Sequence, residues 1–524
     1  MESELELIEK LKTLCDQKGV EKQPQESAVI LHKLGKIYRQ KSPDMLSLIR
    51  SAALFAGAKL RKPANLDEVN DDLNELCLHL RQLSDCTDKN ASLMDISEEV
   101  SQKIQSLRKQ TAVELQAFSC IERMDTKSSQ ISLERQRISA VRKLLGTITQ
   151  EYVSIMRFIA QKVLDIIGVP PYSTKFAIVG LGSLARGEIT PYSDFEHVIV
   201  LNDDVIKREG SETVIQFFKW FSVLFHVVII GLCETIIPCV AVPTLNNSSS
   251  KHSWWFYDAK TPRGIALDGF LPHACKLPIG RQQGTTLKPW KTELIKPVSE
   301  MLKYLEIEQD LKNGYNLADV LSRPCFIFGS KDVYDKYAYK AVEIRRLNDF
   351  KNNFKDFERI LERDLKYNST ETHLKNAIFS GKYVVKQLVY QGIVLFVAGL
   401  GRIYGVEGLS SFQILDDLNS QGVLDHETIH CLEYAVAVAC QLRLKLYSDQ
   451  GKQNDYITAF GGQLVFEKLI SAIGLYSLTE YFNTAMTLQK QLKNDFRKPV
   501  SIKHSSARLT NGMLMHKFQR PSSA

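Results

Sequence analysis

The chain has 524 residues, of which 44% are hydrophobic and 24% are charged, and this composition is typical of a globular protein of about three domains. It excludes collagen-like, mucin-like and wholly disordered chains. The sequence holds 67 Lys and Arg against 60 Asp and Glu, but residues 490–524 contain eight of these cations and one acid, so the remainder is neutral. A basic nucleic-acid-binding groove is therefore not expected, and we predict that nucleic acid is not a partner.

The cysteines and the apolar residues favour a cytoplasmic protein. The ten cysteines are scattered between Cys15 and Cys440 without a dense framework, and the N-terminal residues lack the features of a secretory signal. The most apolar run, Trp220–Cys233, contains His226 and is shorter than the roughly 20 residues that span a bilayer. We expect this run to be a buried helix or strand, and we expect no association with a membrane.

Hydrophobic periodicity divides the chain into four predicted segments. They are an N-terminal helical domain, an α/β domain, a C-terminal helical domain and a basic disordered tail, at residues 1–168, 169–285, 286–488 and 489–524. The first helix of the C-terminal domain is expected from Lys291 to Lys312. The predicted fold class is therefore α+β and predominantly α-helical.

One helix pair in the N-terminal domain resembles a single degenerate tetratricopeptide repeat. Ala28–Tyr38 and Leu46–Phe55 have the apolar spacing of such a pair, with Gly35 where two helices must approach closely. No second copy follows about 34 residues later, so an ordinary helical hairpin is an equally good interpretation. We expect the N-terminal helices to bind a partner protein, so that removal of residues 1–125 abolishes modification of the acceptor and preserves triphosphate binding.

One stretch of the α/β domain combines two features of phosphate chemistry. A strand is predicted to end in a turn at Gly182 and Ser183, where glycine lets the backbone approach a phosphate and where amide and hydroxyl groups donate to its oxygens. A second strand opens on Asp194 and Glu196, whose side chains should share a face because alternate strand residues do. Two adjacent carboxylates need a cation, and oxygen ligands suit Mg²⁺ or Mn²⁺ bridging substrate phosphates.

The same stretch carries a family resemblance. Gly182–Ser183, Arg186–Glu188 and Pro191–Glu196 together resemble the polymerase-β nucleotidyltransferase superfamily, specifically its bacterial branch of PII-protein uridylyltransferases and glutamine-synthetase adenylyltransferases. More diffuse similarity covers residues 150–450. The resemblance implies a small mixed-sheet catalytic domain that uses Mg²⁺ or Mn²⁺ to transfer a nucleoside monophosphate from a nucleoside triphosphate to a hydroxyl group.

The family pattern also implies a third carboxylate on a later strand. Asp268 is the preferred candidate, because it lies in an alternating apolar run and is followed by Leu-Pro and Pro-Ile-Gly as in the family. Asp258 is the alternative, although the sequence Asp-Ala-Lys-Thr-Pro-Arg at this position also favours a turn. By resemblance, Asp194, Glu196 and this third carboxylate would be the catalytic residues and the metal ligands.

Two further positions bear on the site. By resemblance, Gly182, Ser183 and Arg186 would bind the nucleotide, but Arg186 could equally pair with Glu188 inside the turn. The second metal carboxylate is Glu196, where the family more often has Asp, and this lengthens the arm by one methylene.

The residues favour an enzyme whose acceptor is a protein. The neutral charge of residues 1–489 argues against RNA. The N-terminal helices are foreign to the bacterial enzymes, so the PII substrate does not carry over. None of the eleven histidines is followed by aspartate, so the sequence lacks the motif of the phosphohydrolase that reverses the bacterial modification. Two alternatives stay open: a catalytically weak nucleotide-binding scaffold that serves as a protein-interaction module, and an RNA-terminal nucleotidyltransferase.

Overall fold

Helices dominate the protein in this computed structural model, and a small mixed sheet accompanies them, which confirms the predicted α+β, mostly helical fold. The structure describes residues 2–16, 19–41, 44–84, 92–123, 130–207, 209–246, 255–267, 294–305, 317–347 and 382–458. The α-helices are α1 (Glu4–Thr13), α2 (Pro24–Gln40), α3 (Met45–Leu60), α4 (Leu66–Leu83), α5 (Leu93–Arg123), α6 (Gln130–Ile167), α7 (Gly182–Ala185), α8 (Ser211–Gly231), α9 (Pro243–Asn246), α10 (Val298–Leu302), α11 (Leu317–Leu321), α12 (Lys331–Leu347), α13 (Gly392–Ile403), α14 (Ser411–Ser420) and α15 (His426–Gln450). A π-helical turn at Lys386–Gln391 precedes α13.

Four strands form the mixed sheet, and two more form a separate antiparallel pair. They are β1 (Phe176–Gly180), β2 (His197–Leu201), β3 (Ile295–Pro297) and β4 (Cys325–Gly329), with β5 (Lys382–Val384) and β6 (Tyr456–Thr458) as the pair. The sheet order is β3-β2-β1-β4; β1 is antiparallel to β2 and β4, whereas β3 is parallel to β2. Every residue of β1 and β2 is buried, which explains why both are continuous apolar runs.

Residues 294–305, the described part of the helix predicted at 291–312, do not form one continuous helix. The described part of this range contains β3, α10 and a 3₁₀ turn at Lys303–Leu305. Ile295 pairs with Ile199 of β2 and is buried in the sheet, and Pro297 cannot donate a helical hydrogen bond. Tertiary pairing therefore overrides the helical spacing of the apolar residues here. The predicted boundary at residue 285 lies outside the described residues.

The chain forms two compact units. The first contains residues 1–107, 149–185 and 191–341, and the second contains residues 108–148, 186–190 and 342–524. The two long helices α5 and α6 each contribute to both units. The N-terminal helices and the four-stranded sheet belong to the first unit. The predicted boundary at 168 stays a prediction, and the one at 488 lies outside the described residues.

Within the first unit, the N-terminal helices share a core with the region around the sheet. Helix α3 packs against α8, and Gly57 lies against Ile237. Ser97 Oγ donates a hydrogen bond to the carbonyl of Val228 in α8 at 2.9 Å, and Arg50 Nε donates to the carbonyl of Val240 at 3.2 Å. The N-terminal helices and the residues around the sheet therefore share one core within this unit.

The predicted helix pair is present as α2 and α3. A Cβ at position 35 would overlap the ring of Phe55, so Gly35 marks the close approach of the two helices that the sequence predicts. Ser51 Oγ donates a hydrogen bond to the carbonyl of Gly35 at 2.8 Å, which ties the helices together at the same point. The structure thus contains one tight hairpin at this position.

The most apolar run of the chain belongs to α8. Among the described residues, α8 is the one helix whose length and composition would let it cross a membrane, and 67% of its apolar window is buried inside the protein. The rings of Phe218 and Phe176 lie 4.7 Å apart, and Phe225 stacks on Phe195 at 5.6 Å. The prediction of a buried helix is therefore confirmed, although the helix is longer than the apolar run itself.

Candidate nucleotide and metal site

A tight turn after β1 is the first component of the site. Gly182 begins α7 with a φ of +61°, in the left-handed region that glycine adopts without strain. A Cβ at this position would also overlap Oε2 of Glu196. The amide of Leu181 donates to the carbonyl of Glu196 at 2.9 Å, so the turn is hydrogen-bonded to the segment that carries the paired carboxylates.

The segment before β2 is the second component. Phe195 and His197 are buried and stack at 4.4 Å, whereas Asp194 and Glu196 are partly exposed, as the two-residue period predicts. Phe195 forms a parallel bridge with Leu267, with its amide donating to the carbonyl of Ala266 at 2.7 Å. One face of the extended segment is therefore packed in the core, and Asp194 and Glu196 lie on the opposite face.

The charge around Asp194 includes a cation that the sequence analysis missed. Arg263 lies with its guanidinium 3.4 Å from Oδ2 of Asp194, and both side chains are partly exposed. Arg263 sits 69 positions away in sequence, between a turn and the Phe195–Leu267 bridge, so no local pattern points to it. Its position beside a predicted metal ligand makes it a candidate for contacting a phosphate.

The two candidates for the third carboxylate differ in what the structure describes. Asp268 lies outside the described residues, but the residue before it, Leu267, pairs with Phe195 between the two predicted metal ligands. The chain therefore approaches the paired carboxylates at the position that immediately precedes Asp268.

Asp258 is held in a buried structural role. It forms a fully buried ion pair with Arg61 at 2.7 Å, and it accepts hydrogen bonds from the amides of Ile237 at 3.1 Å and Thr261 at 3.0 Å. Burial alone would raise the pKa of Asp258, but Arg61 and the two amides outweigh it, and the pKa is lowered overall. These contacts favour the turn interpretation of Asp258 over the metal-ligand interpretation.

Arg186 pairs with Glu188, which is one of the two arrangements that the sequence leaves open for it. Its Nε donates to Oε2 of Glu188 at 3.1 Å, and its Nη2 donates to the hydroxyl of Tyr390 at 3.3 Å. Burial would lower the pKa of Arg186, but Tyr390 and Glu188 raise it, so the guanidinium stays charged. The described contacts thus place Arg186 in an ion pair within its own motif.

Among the described residues, one group of three His, Asp and Glu side chains is close enough together to hold a metal ion, and it lies elsewhere in the first unit. Donor atoms of His32, Glu68 and Asp72 all lie within 4.8 Å of one another. Asp72 already pairs with Lys36 at 3.1 Å and with Arg39 at 2.9 Å, so its negative charge is neutralised without a metal. Because Asp72 is already paired in this way, the cluster gives only weak support for a bound metal.

The geometry brings a glycine turn and two carboxylates together beside an arginine. Carboxylate oxygens are the ligands that a hard divalent cation prefers, and Ser183 lies partly exposed in the turn beside them. Neither a protein-family model nor a curated protein matches the chain.

Proposed function

We propose that the protein is a metal-dependent nucleotidyltransferase that moves a nucleoside monophosphate from a nucleoside triphosphate to a hydroxyl group. The observation that supports this most is the apposition of Gly182 and Glu196, because a phosphate-binding turn and a metal-binding carboxylate must lie together for this chemistry. The resemblance of the motif to the uridylyltransferase and adenylyltransferase branch supports the same reaction.

In the proposed reaction, the oxygen of the acceptor hydroxyl attacks the α-phosphorus and the bond from that phosphorus to the bridging oxygen breaks. Pyrophosphate leaves with the electron pair of that bond. Gly182 and Ser183 would hold the β- and γ-phosphates, and Arg263 would contact a phosphate oxygen. Asp194, Glu196 and Asp268 would hold Mg²⁺ or Mn²⁺, which supplies positive charge to the phosphates when bound. Asp268 would also accept the proton of the acceptor hydroxyl.

The acceptor we propose is a hydroxyl group on a protein, and the compartment is the cytoplasm. The chain outside residues 490–524 has no excess of cations, so the strong electrostatic contribution that nucleic-acid binding draws on is missing. The partner protein would bind through the helical domains.

The experiment that tests this function is incubation with each of the four nucleoside triphosphates and Mg²⁺, followed by measurement of pyrophosphate. We expect release with one preferred nucleotide, enhanced by cell extract that supplies the acceptor. Triphosphate binding without any pyrophosphate release would favour the scaffold alternative. A labelled product destroyed by ribonuclease would favour the RNA-terminal alternative.

Binding itself is expected to require the metal, because Asp194 and Glu196 would otherwise repel the phosphates. We predict that the triphosphate raises the unfolding temperature in Mg²⁺ and not in EDTA. Equal stabilisation in both buffers would contradict the assignment of these two residues as metal ligands.

A further inference from the structure

Arg263 lies against one of the two predicted metal ligands of the first unit. Its Nη2 is 3.4 Å from Oδ2 of Asp194, and the two side chains are 40% and 23% exposed. Glu196 shares a face of the extended segment with Asp194. Two carboxylates on one face repel each other unless positive charge is nearby. The guanidinium of Arg263 supplies such a charge to Asp194.

The backbone that follows Arg263 is anchored. The carbonyl of Glu234 accepts from the amide of Gly264 at 3.2 Å, and Oε2 of Glu234 accepts from the amide of Ile265 at 2.8 Å. The same segment ends in the strand bridge at Leu267. The side chain of Arg263 keeps several rotatable bonds on this fixed base. Its guanidinium can therefore change partner while the backbone stays in place.

A divalent cation on Asp194 would compete with this contact. Mg²⁺ binds carboxylate oxygens at about 2.1 Å, and the guanidinium already lies 3.4 Å from one oxygen of Asp194. Two positive groups so close to the same oxygen repel each other strongly. Arginine cannot lose its proton to relieve this repulsion. Contact of Arg263 with Asp194 and binding of a metal to Asp194 therefore oppose each other.

A triphosphate would offer Arg263 another partner. The planar guanidinium fits phosphate oxygens and forms short, charge-assisted hydrogen bonds with them. The Gly182 turn, which we propose to hold phosphates, is in contact with the carboxylate of Glu196. Phosphates bound at this turn would thus lie beside the pair of carboxylates that Arg263 adjoins.

We propose that Arg263 competes with the metal for Asp194 and exchanges this carboxylate for a phosphate oxygen when metal and triphosphate bind together. The arginine then weakens the binding of the metal alone and strengthens the binding of the triphosphate. It favours joint occupation of the site over occupation by the metal without its substrate. This inference rests on the proposed function, because that function assigns Asp194 as a metal ligand.

The test compares Arg263→Gln with the control Lys336→Gln in the full-length protein. Both changes remove one positive charge from a partly exposed ion pair, but Lys336 pairs with Asp203, which lies beyond the opposite end of β2. Salt at about 0.15 M limits effects over longer distances. Mn²⁺ binding without nucleotide is measured from the electron paramagnetic resonance signal of free Mn²⁺. Binding of ATP, CTP, GTP and UTP is measured separately with saturating Mg²⁺.

We expect Arg263→Gln to bind Mn²⁺ about threefold or more tightly than the wild type, because the competing charge is gone. The same variant should bind the preferred triphosphate about tenfold or more weakly, because a charge-assisted hydrogen bond to phosphate is lost. Damage to the fold would weaken both kinds of binding, so changes in opposite directions separate the two explanations. Lys336→Gln should match the wild type in both measurements.

Unchanged or weaker Mn²⁺ binding by Arg263→Gln would overturn the inference, as would unchanged triphosphate binding or equal effects in Lys336→Gln. If neither the wild type nor Arg263→Gln binds Mn²⁺, or if the wild type binds no triphosphate, the inference fails together with the proposed site. Pyrophosphate release separates the two remaining cases. Opposite changes in a protein that releases no pyrophosphate would support the competition and contradict nucleotidyl transfer. Release by the wild type without the opposite changes would contradict the competition alone.

Discussion

Gly182 lies so close to the carboxylate of Glu196 that a Cβ at position 182 would overlap Oε2. The two residues are 14 positions apart and are brought together by the antiparallel pairing of β1 with β2. The same pairing places the Leu181 amide 2.9 Å from the Glu196 carbonyl. Glycine is therefore required at position 182 for two reasons: the backbone has a positive φ, and the predicted metal ligand Glu196 occupies the space that a Cβ would need.

We predict that Gly182→Ala displaces the Glu196 carboxylate and abolishes most turnover. The control is Gly422→Ala, because Gly422 has a similar φ of +63° and no atom within 4 Å of the added Cβ. The control should lose about 1 kcal/mol of stability from backbone strain and no activity. Pyrophosphate release and thermal unfolding are measured for both, and full activity in Gly182→Ala would contradict the close apposition.

Asp194→Asn and Asp258→Asn should have opposite effects. Asp194 is partly exposed at the proposed metal site, so its substitution should abolish turnover while the unfolding temperature stays the same. Asp258 is paired with buried Arg61, so its substitution should cost about 2–4 kcal/mol of stability while leaving the folded protein active. Asp268→Asn should behave like Asp194→Asn. The assignment of the third ligand is wrong if folded Asp258→Asn is inactive and Asp268→Asn is active.

Stability should fall as the pH is lowered from about 7 to 5.5, because two histidines are buried in neutral form. Burial lowers the pKa of His197 to about 3, with a further contribution from His226, and burial lowers the pKa of His226 to about 3. In the unfolded chain each histidine binds a proton near pH 6.5, whereas in the folded chain it stays neutral at that pH. The neutral histidines therefore contribute fully to stability above about pH 6.5, and this contribution is lost progressively as the pH falls below that value.

Each histidine contributes a slope of up to about 1.4 kcal/mol per pH unit once the unfolded form is protonated. The variant His226→Leu should fit the apolar surroundings of α8 and flatten the pH dependence. Denaturant unfolding at pH 7 and 5.5 measures both slopes. Identical slopes in the wild type and the variant would show that His226 is protonated in the folded protein.

Truncation should distinguish the two ends of the chain. Removing residues 490–524 should leave transfer intact, because these residues carry the net charge of the chain but no predicted catalytic group. Removing residues 1–107 should unfold the first unit, because Asp258 loses its buried partner Arg61 and the apolar surface of α8 becomes exposed to solvent. Circular dichroism and pyrophosphate release test both, and a folded, triphosphate-binding 108–524 fragment would contradict the shared core.

Local sequence patterns were sufficient to predict the elements around the site. The change from a 3.6-residue to a two-residue period placed β1 and β2, and the glycine marked the turn between them. The alternation of Asp194 and Glu196 with buried Phe195 followed from the same period. Gly35 likewise marked a close helix approach that the structure contains.

Contacts distant in sequence could not be predicted in this way. Nothing local connects Arg263 to Asp194, Arg61 to Asp258 or Tyr390 to Glu188, because these pairs form only when separate elements pack. The helix predicted at the position of β3 is wrong for the same reason, because pairing with β2 decides the conformation of these residues. Asp268 and the tail at 489–524 lie outside the described residues, so the predictions made for them stay predictions.

The central claim is tested most directly by following the label of a nucleoside triphosphate into an acceptor protein. Wild type and Asp194→Asn are each incubated with Mg²⁺, cell extract and triphosphate labelled at either the α- or the γ-phosphate. A nucleotidyltransferase should attach the α-label and release the γ-label as pyrophosphate, and Asp194→Asn should do neither. Attachment of the γ-label, or equal attachment of the α-label by Asp194→Asn, would contradict the proposed function.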